Sequence, residues 1–344
     1  NVSFAFFIIL FVMHINNKNL PKKILSWYDN NKRTLPLRIS HKSKKKQYYR
    51  ILSEFMLQQT QVKTVIPYFI KFVNEVPNLK VLSTSNEKKI LKLWEGLGYY
   101  RRVRNLHKTA KILLKQYKAK LPKKFQEIIK LPGVGEYTAN ALLALVYNQP
   151  RIPIDGNVKR VFSRLLNKNL QYEKNTYKLL DTGRNADLAE AMIEFGALIC
   201  KPKNPLCNLC NLKKNCEFFK NNTYVFPKKK YFIREKKYNI YCYLNKQKKA
   251  IALTRNKNLS FLNNFKIPKT KIIISEKEQK IKGWNYLCNY KNNISNIKMN
   301  INLFYKFTKV KPKNFTWYSF DRSIDEFMPS FTKKIFKKIE KLYI

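Results

Sequence analysis

The stretch LPGVGEYTAN, residues 131–140, decides the fold of the first half of the chain. Gly133 and Gly135 stand between two segments of helical pattern, where glycine lets the backbone turn tightly. Such a turn leaves backbone N–H groups free at the start of the second helix, and a phosphate can bind there. Taken alone, the stretch predicts either a phosphate-binding helical hairpin or an ordinary turn between two helices.

Asp155, in the segment IPIDGNVKRVFSR (residues 152–164), lies twenty positions beyond Gly135. It precedes Gly156 and a new helical pattern, so we predict that it lies at a helix N-terminus. The helix dipole favours an ionised carboxylate at that position. A plain N-cap is the common role for an Asp in this setting, but the spacing from the hairpin favours a functional role.

Four of the six cysteines lie in one short segment, with the spacing C-x6-C-x2-C-x5-C: Cys200, Cys207, Cys210 and Cys216. A tight group of thiols is typical of a metal site, and four thiolates can enclose an iron–sulfur cubane or a zinc ion. Zinc sites usually have two C-x2-C pairs, and this segment has one. The loop lysines are either phosphate contacts or solvent-facing side chains: Lys201, Lys203, Lys213 and Lys214.

Residues 19–220 show mostly helical periodicity around the hairpin, for example in YRILSEFMLQQTQVKTVIPYFIKFVNEV, residues 49–76. Residues 221–237 are basic and contain Pro227, which is typical of a linker. Beyond them YNIYCYLN, KAIALTR and NINLFYKFTK alternate as strands do, and PSFTKKIFKKIEKLY is helical in pattern. We therefore predict an all-α domain followed, over residues 238–344, by a smaller α+β domain.

The chain carries 70 Lys and Arg against 21 Asp and Glu, a formal net charge of +49. A field of that sign attracts polyanions, so DNA or RNA is the first candidate partner. Lys, Asn and Ile are used heavily everywhere, as an AT-rich genome would force, so part of the charge carries no functional information. The charge supports a nucleic-acid partner without identifying it.

Residues 1–18 contain the apolar run FAFFIILFV, residues 4–12. No basic residue precedes the run, which makes it a poor signal peptide, and it is too short to span a bilayer. We interpret residues 1–18 as an N-terminal extension of uncertain role. We expect a monomeric, cytoplasmic, nucleoid-associated protein that binds no membrane.

The hairpin, Asp155 and the cysteine segment together resemble the helix-hairpin-helix superfamily of endonuclease III, whose [4Fe-4S] loop has the same irregular cysteine spacing. Three segments are similar to the MutY adenine DNA glycosylases of that superfamily nearly word for word: SEFMLQQTQVKTVIPYF (53–69), LWEGLGYYRRVRNLHK (93–108) and DGNVKRV (155–161). The likeness is close over about residues 20–220. It implies that the four cysteines hold a [4Fe-4S] cluster.

Two positions distinguish the MutY pattern from that of endonuclease III. Endonuclease III is similar in its hairpin but has a lysine two residues after the second glycine, and that amine attacks the sugar. The position is Tyr137 here, which cannot form a Schiff base, so the resemblance implies a monofunctional glycosylase. Glu54, just before MLQQTQ, stands where MutY-like enzymes carry their catalytic glutamate.

The resemblance implies a mechanism in which two carboxyls in different environments divide the work. Glu54 would be the general acid that protonates adenine at N7, and desolvation by its apolar neighbours would raise its pKa. Asp155, ionised, would stabilise the oxocarbenium ion or bond to it transiently. Tyr137 would hydrogen-bond near Asp155, Asn157 would help to order the site, and water would complete the hydrolysis.

The resemblance also implies how duplex DNA is held. Gln59 and Tyr99 would push into the duplex beside the opposite base while the adenine leaves the stack, with Gln58 and Leu97 nearby. Glu190 would line the adenine pocket, unless it is an ordinary glutamate on a helix surface. Gly133 and Gly135 would meet the DNA backbone, Arg33 and Arg101 are candidate phosphate contacts, and Trp27, Trp94 and Met56 are candidate core residues.

Residues 238–344 resemble the Nudix-like domain with which MutY senses 8-oxoguanine, through LTRNKNLSFLNNFKIPKT (253–270) and WYSF (317–320). A glutamate-rich Nudix box is lacking, so pyrophosphate hydrolysis is not expected. The Phe-Ser-His hairpin of the family is best matched by Ile294-Ser295-Asn296, which keeps the serine and loses the histidine. Asn can donate and accept hydrogen bonds, so we expect Ser295 and Asn296 either to recognise the lesion weakly or to reflect a relaxed search.

The sequence thus predicts removal of adenine from A:8-oxoguanine or A:G mispairs in double-stranded DNA. Alternatives are an endonuclease III-like glycosylase acting on oxidised pyrimidines, a catalytically decayed iron–sulfur protein that binds DNA, and a structural zinc protein. Glu54, Asp155 and the four cysteines are intact, which opposes decay, whereas the altered hairpin favours it. A further departure, Leu37 where the family tends to have Trp, is expected to affect packing only.

Overall fold

The computed structural model describes residues 19–39, 43, 45–167, 181–221, 233–256, 259, 262, 265–273, 282–294, 296–320 and 327–343. The N-terminal extension (residues 1–18) and Ser295 lie outside the described residues. The chain divides between residues 227 and 228 into two compact units. The first unit is helical and the second is built on a β-sheet.

The first unit is built from helices whose described bounds are α1 Leu20–Asn31, α2 Lys46–Leu57, α3 Val62–Glu75, α4 Leu79–Thr84, α5 Glu87–Leu93, α6 Arg101–Tyr117, α7 Phe125–Ile128, α8 Glu136–Tyr147, α9 Gly156–Leu166, α10 Asn185–Leu198 and α11 Glu217–Asn221. Two short 3-10 turns, Cys207–Leu209 and Lys213–Asn215, lie in the cysteine loop. Among the helices that the structure describes, none has the length and apolar character needed to cross a membrane.

The segment of helical pattern over residues 49–76 falls into two helices in the structure, α2 and α3. The break lies at Gln58–Gln61, where Gln59 has a φ of 56°. A residue in the left-handed region cannot continue a right-handed helix. Apolar periodicity does not report the backbone angle of a single residue, so the pattern alone does not locate this break.

One core cluster of the helical unit forms where α1, α9 and α10 pack together. Trp27 meets Phe195 edge-to-face, with ring centroids 4.9 Å apart. Three cysteines of the loop pack against this core, so the loop is anchored on α9 and α10. The predicted core residues Trp27, Trp94 and Met56 are buried, and so is Leu37, which fits a packing role.

The second unit has a mixed seven-stranded sheet among its described residues, with strands β1 Arg234–Asn245, β2 Ala250–Arg255, β3 Lys266–Ile267, β4 Lys269–Ile273, β5 Asn285–Ile294, β6 Ile297–Phe307 and β7 Thr316–Ser319. The strand order is β3-β2-β1-β6-β5, and β4 and β7 pair with β1 and β2. The β1–β6 pair is parallel and the others are antiparallel. Helix α12, Ser330–Ile339, contacts the sheet where Lys334 Nζ donates to Asn292 Oδ1 at 2.7 Å.

The order of a helical unit and then a smaller α+β unit confirms the predicted fold class. Strand β1 nevertheless begins at Arg234, inside the range 221–237 that was predicted to be a linker. The reason is that Arg234–Lys237 pair in parallel register with Ile297–Asn300 of β6. The basic composition of these residues is typical of a linker, but they pair with β6, a strand that lies some sixty residues further along the chain.

Candidate active site

Asp155 immediately precedes α9 and caps its N-terminus. Its Oδ1 accepts hydrogen bonds from the backbone N–H groups of Asn157 (2.8 Å) and Val158 (2.7 Å), and its Oδ2 accepts one from the Asn157 side-chain amide (2.8 Å). Burial raises the pKa of Asp155, and these donors oppose the rise. A carboxylate has about four acceptor positions, so one position remains for a substrate group.

Glu54 lies on α2 and is buried. Burial raises the pKa of Glu54 to about 7; the Arg50 cation opposes this rise, and the charges of Glu190 and Asp155 add to it. No described residue donates a hydrogen bond to this carboxyl group, in contrast to Asp155. The two carboxyls are therefore close enough to interact, yet they lie in unlike environments.

Tyr137 lies in the first turn of α8, directly after the hairpin glycines. Burial raises the pKa of Tyr137 well above its ordinary value, and the charges of Glu54 and Asp155 raise it further. Glu54 on α2, Tyr137 on α8 and Asp155 at the N-cap of α9 thus lie within electrostatic reach of one another. The phenol stays protonated near neutral pH and can donate a hydrogen bond, but it offers no amine to a sugar carbon.

Glu190, on α10, is held by cations and a phenol instead of facing solvent. It accepts hydrogen bonds from Tyr28 Oη at 2.5 Å and from Arg50 Nη1, and Arg38 Nε lies 3.4 Å from its Oε2. Its charge also acts on the buried Glu54. The alternative of a surface glutamate is therefore wrong, and Glu190 lies beside the general-acid candidate.

Glu194, one turn further along α10, forms a second buried charge cluster that the sequence did not predict. It accepts from Arg33 Nε at 2.7 Å and Nη2 at 2.8 Å, and from Arg38 Nη2 at 2.8 Å. Arg33 was a candidate phosphate contact, and in the structure it pairs with Glu194 instead.

The sequence did contain one signal for the Arg50 cation beside Glu54. Arg50 lies four residues before Glu54 and so shares a helix face with it.

Asn157 connects Asp155 to the cysteine loop through Arg160. Its Oδ1 accepts from Arg160 Nη2 at 2.8 Å, and the same guanidinium donates from Nη2 to Gly196 O at 2.6 Å and from Nε to Cys200 O at 2.7 Å. Asn157 thus contacts both Asp155 and Arg160, and its ordering role stays a prediction. Arg160 is a positioning residue that motif reading overlooked.

Two turns carry the residues predicted to enter DNA. Gln59 is exposed at the end of α2 with a φ of 56°, and Tyr99 is 47% exposed just before α6 with a φ of 48°. Left-handed backbone costs a non-glycine residue on the order of 1 kcal/mol or more, so both turns are held in place by their surroundings. Leu97 is buried beneath the second turn, and Gln58 Nε2 braces the hairpin by donating to Gly133 O at 3.1 Å.

The hairpin requires glycine at its first position. Gly133 has a φ of 79°, and a Cβ there would lie 2.7 Å from Asn105 Cβ and 2.9 Å from Phe55 Cε1. Gly135 precedes α8, and a Cβ built on it would meet open space. The hairpin therefore lies tightly against α2 and α6 at Gly133 while the start of α8 is open to a ligand.

The four loop cysteines fit a four-iron cluster. All four are free thiols, and Arg164 Nη1 lies 3.3 Å from Cys200 Sγ. Burial raises the pKa of Cys210 and Cys216, whereas backbone N–H groups lower it. The charges of Cys200 and Cys207 raise the pKa of both thiols further, so the four sulfurs lie within electrostatic reach of one another. Thiolates that receive N–H and guanidinium donors are typical of iron–sulfur sites.

A compact single-ion site is not formed by these thiols. Within the ranges given above, no group of three or more His, Cys, Asp or Glu side chains is close enough to hold one metal ion.

In the second unit, the β5–β6 hairpin carries the predicted lesion-reading triplet. Ile294 ends β5, and the Asn296 carbonyl accepts from the Arg234 N–H at 2.9 Å. The central Ser295 lies outside the described residues. The Asn296 backbone thus anchors the hairpin on the start of β1.

Comparison with known proteins shows which repair proteins the helical unit resembles. Residues 52–183 match the HhH-GPD superfamily of base excision DNA repair proteins. A thermostable thymine-DNA glycosylase superposes with a TM-score of 0.54 and 25% identity over 60% of this chain and 99% of that chain. Endonuclease III, in a trapped covalent DNA intermediate, gives a TM-score of 0.51 and 19% identity over 61% of this chain and 98% of that chain, which supports the fold.

The sequence similarity extends through both units. The chain is 38% identical to the adenine DNA glycosylase of Buchnera aphidicola subsp. Baizongia pistaciae, over 92% of this chain and 96% of that relative. It is a DNA glycosylase of the base excision repair type. Because an identity of this level spans nearly the whole of both chains, this chain belongs to the adenine DNA glycosylase family of the HhH-GPD superfamily.

Proposed function

We propose that the chain hydrolyses the N-glycosidic bond of adenine mispaired with 8-oxoguanine or guanine in duplex DNA, and that it leaves the strand uncut. The observation that carries the proposal is that Glu54, Tyr137 and Asp155 lie within electrostatic reach of one another, with Glu54 buried. Adenine leaves poorly, so its departure needs a proton on the ring and support for a cationic sugar. Two carboxyls in unlike environments can supply these two requirements.

Glu54 is the proton donor in this proposal. Its raised pKa keeps the carboxyl protonated up to about neutral pH, which suits a general acid. The proton passes from the Glu54 carboxyl to N7 of the extruded adenine. Glu190, held by Tyr28 and Arg50, lines the same pocket and opposes loss of that proton through its charge.

Asp155 supports the sugar. Its donors hold one orientation, and the N-terminus of α9 favours the ionised form. As the bond to adenine breaks, positive charge develops on the sugar ring, and the free acceptor position of Asp155 faces it. Asn157 keeps that orientation, and water then adds to the anomeric carbon.

Tyr137 determines the outcome after base loss. A lysine here would attack the sugar and lead to strand cleavage, as the resemblance to endonuclease III implies. A phenol has no such reaction, so the abasic sugar is released. Tyr137 instead lies within electrostatic reach of the two carboxyls, and its protonated hydroxyl can donate a hydrogen bond.

DNA is held by the hairpin and by the two strained turns. Gly133 and Gly135 offer backbone N–H groups to a phosphate at the start of α8, while Gln59 and Tyr99 enter the duplex and support extrusion of adenine. The strongly basic chain attracts the polyanion. Since the substrate is chromosomal DNA, we place the protein at the nucleoid.

The cofactor in this proposal is a [4Fe-4S] cluster bound by Cys200, Cys207, Cys210 and Cys216. When bound, it would supply iron–thiolate bonds that close the loop and fix it against α9 and α10. Arg164 would donate to the Cys200 sulfur, and Arg160 would hold the Cys200 carbonyl. The basic residues of the loop, Lys201, Lys203, Lys213 and Lys214, are candidate phosphate contacts.

The second unit is proposed to read 8-oxoguanine through Ser295 and Asn296. Serine and asparagine can both hydrogen-bond to the oxidised base. The family's histidine is absent, so we expect smaller discrimination between A:8-oxoguanine and A:G than a Phe-Ser-His hairpin would give. The unit as a whole is proposed to be the Nudix-like lesion-recognition domain.

An excision assay on three duplexes tests the proposal. Duplexes with A:8-oxoguanine, A:G and A:C are incubated with excess protein, and abasic sites are revealed by alkali. We expect cleavage after alkali only, fastest for A:8-oxoguanine, and little covalent product when borohydride is added. Glu54→Gln should reduce the rate at least about 100-fold, the contribution typical of a general acid, whereas Glu75→Gln on an exposed helix end should not.

Other outcomes would point elsewhere. Efficient borohydride trapping would favour an endonuclease III-like lyase, to be checked on oxidised pyrimidines. Equal rates for the chain and for Glu54→Gln would contradict the catalytic assignment and favour a DNA-binding paralogue. Equal rates for all three duplexes would overturn the lesion-reading role of Ser295 and Asn296 while leaving adenine excision intact.

A further inference from the structure

Arg102, in the first turn of α6, is a buried cation that bonds to backbone on two separate turns. Its Nη1 donates to Met56 O at 2.7 Å, to Phe55 O at 3.3 Å and to Gln58 O. Its Nη2 donates to Gly98 O at 3.2 Å and to Leu97 O at 3.3 Å. One guanidinium therefore joins the end of α2 to the loop before α6.

We call these two segments the glutamine turn, residues 58–61, and the tyrosine turn, residues 94–99. Each contains one exposed non-glycine residue with left-handed backbone, Gln59 at 56° and Tyr99 at 48°. Such residues persist only where the surroundings hold them. The atoms that Arg102 binds include the carbonyls directly preceding both residues, Gln58 O and Gly98 O.

The chemistry of arginine suits this position. The carbonyls at the end of α2 have no partner within the helix, so a cation there satisfies them and meets the negative end of the dipole. The guanidinium is planar, and its fork of donors points two ways at once, which an ammonium group cannot reproduce. Trp94 and Tyr99 flank the guanidinium, and Arg102 Cζ lies 5.4 Å from the Trp94 ring centroid and 5.3 Å from the Tyr99 ring centroid.

The rest of α6 continues the same support. Thr109 follows Arg102 by seven residues, or two helical turns, and therefore lies on the same helix face. Its Oγ1 donates a hydrogen bond to Pro132 O at 3.0 Å. Asn105 lies directly beneath Gly133 of the hairpin. The face of α6 that carries Arg102 is therefore the common base of the two turns and the hairpin.

We propose that Arg102 is a positioning residue that fixes Gln59 and Tyr99 at one spacing and orientation, so that both enter the DNA duplex together. This inference rests on the proposed function for its DNA step. Arg102 touches neither base nor sugar in this scheme, and it acts through the two backbone turns. Because its partners include Phe55 O and Met56 O, it also holds the helix that carries Glu54.

Hydrogen exchange of the free protein tests the structural half of the proposal. We compare wild type with Arg102→Lys, with Lys108→Gln as a control that removes an exposed charge from the same helix. Arg102→Lys should speed exchange in both turns at least about tenfold, since several charge-assisted hydrogen bonds are lost. Lys108→Gln should leave both unchanged.

Trp94→Phe serves as the second variant, and it remains informative if Arg102→Lys does not fold. Trp94 Nε1 donates to Gly98 O at 3.1 Å, so phenylalanine removes a bond from the tyrosine turn only. We expect faster exchange in residues 94–99 and no change in residues 58–61, where Arg102 still binds. Equal loosening of both turns in Trp94→Phe would contradict a separate hold by Arg102 on the glutamine turn.

A fluorescence measurement tests the DNA half. In a duplex with 2-aminopurine beside the mispaired adenine, insertion of Gln59 and Tyr99 should unstack the probe and raise its emission. Arg102→Lys should lose most of this rise, as should Tyr99→Ala, and its single-turnover excision should slow at least about tenfold.

The outcomes separate the two ideas. Exchange that is unchanged in both turns, or raised equally throughout the helical unit, would overturn the positioning role of Arg102. If wild type neither excises adenine nor unstacks the probe, the proposed function fails, while the exchange result still decides whether Arg102 holds the turns. If Tyr99→Ala loses the fluorescence rise and Arg102→Lys keeps it, the inference fails and the function stands.

Discussion

Gly196 of α10 lies against Asn157 of α9, so closely that a Cβ at Gly196 would stand 2.7 Å from Asn157 Cβ and 2.9 Å from its carbonyl oxygen. Real Cβ atoms do not approach so near, and the neighbour here includes backbone that cannot rotate away. Asn157 orients Asp155 through its side-chain amide. The packing of two helices therefore reaches the carboxylate proposed to support the sugar.

Gly196→Ala should consequently push α9 from α10 and turn Asp155. We expect overpacking to cost about 1–3 kcal/mol of unfolding free energy, with an excision rate at least about tenfold lower. Urea unfolding and single-turnover excision measure the two effects. Gly156→Ala, where the added methyl meets open space, is the control for stability, and equal behaviour of the two variants would contradict the steric account.

Glu54→Gln should stabilise the fold in a pH-dependent way. Burial raises the pKa of Glu54 from 4.5 to about 7, so between these values the folded chain keeps a proton that the unfolded chain has released. Folding then becomes less favourable as pH rises through this window, and the penalty is complete above about 7. The melting temperature of Glu54→Gln should exceed that of wild type by a margin that grows from pH 4.5 to about 7. Exposed Glu75→Gln should show no such growth.

The excision rate should depend on pH through the same carboxyl. The protonated form of Glu54 is the active acid, so the single-turnover rate should fall about tenfold per pH unit above a pKa of about 7. On the acid side, the rate should fall when Asp155 gains its proton. A rate that stays level well above neutral pH would argue against Glu54 as the proton donor.

Arg160→Lys should affect catalysis and iron retention together. Arg160 binds Asn157 Oδ1, Gly196 O and Cys200 O, and an ammonium group cannot reach all three. We expect slower excision and faster iron loss to a chelator, followed by visible absorbance. Lys159→Gln, on the same helix, should retain iron normally. Slower excision with unchanged iron loss would show that Arg160 serves Asp155 without holding the loop.

Glu194→Gln should destabilise the helical unit. Burial acts to raise the pKa of Glu194, but hydrogen bonds from Arg33 and Arg38 outweigh it and hold the pKa at about 2. The stabilisation is therefore full above the ordinary value of 4.5 and is lost as pH falls towards about 2. At neutral pH we expect Glu194→Gln to lower the unfolding free energy by about 1–3 kcal/mol. This figure is below that of a fully buried ion pair because the Arg33 side chain is 38% exposed and solvent screens its charge.

The control for this measurement is Glu87→Gln, whose partner Arg104 forms a surface pair. That variant should change the unfolding free energy by no more than about 0.5 kcal/mol. Urea unfolding at neutral pH and again near pH 3, roughly midway between the two pKa values, compares both variants with wild type. A neutral-pH effect of Glu194→Gln no larger than that of Glu87→Gln would mean that the cluster adds no stability.

Features that depend on a few neighbouring residues could be predicted from the sequence. The glycine turn at Gly133, the helix start at Asp155 and the spacing of the four cysteines are all local. Each follows from backbone angles or from short chain distances, so a short stretch of letters contains the whole signal. The same holds for the order of a helical unit and an α+β unit, because hydrophobic period is a local property.

Contacts between distant parts of the chain could not be predicted in this way. Arg50 meets Glu190 across 140 positions, and Arg33 meets Glu194 across 161. Gln59 and Tyr99 take left-handed backbone against their own preference because Arg102 binds the carbonyls before them. The sequence by itself determined which chemical groups are present and the order of a helical unit and an α+β unit. Only the tertiary structure decided the partner of each buried charge, because pairing depends on distances in space that chain order does not contain.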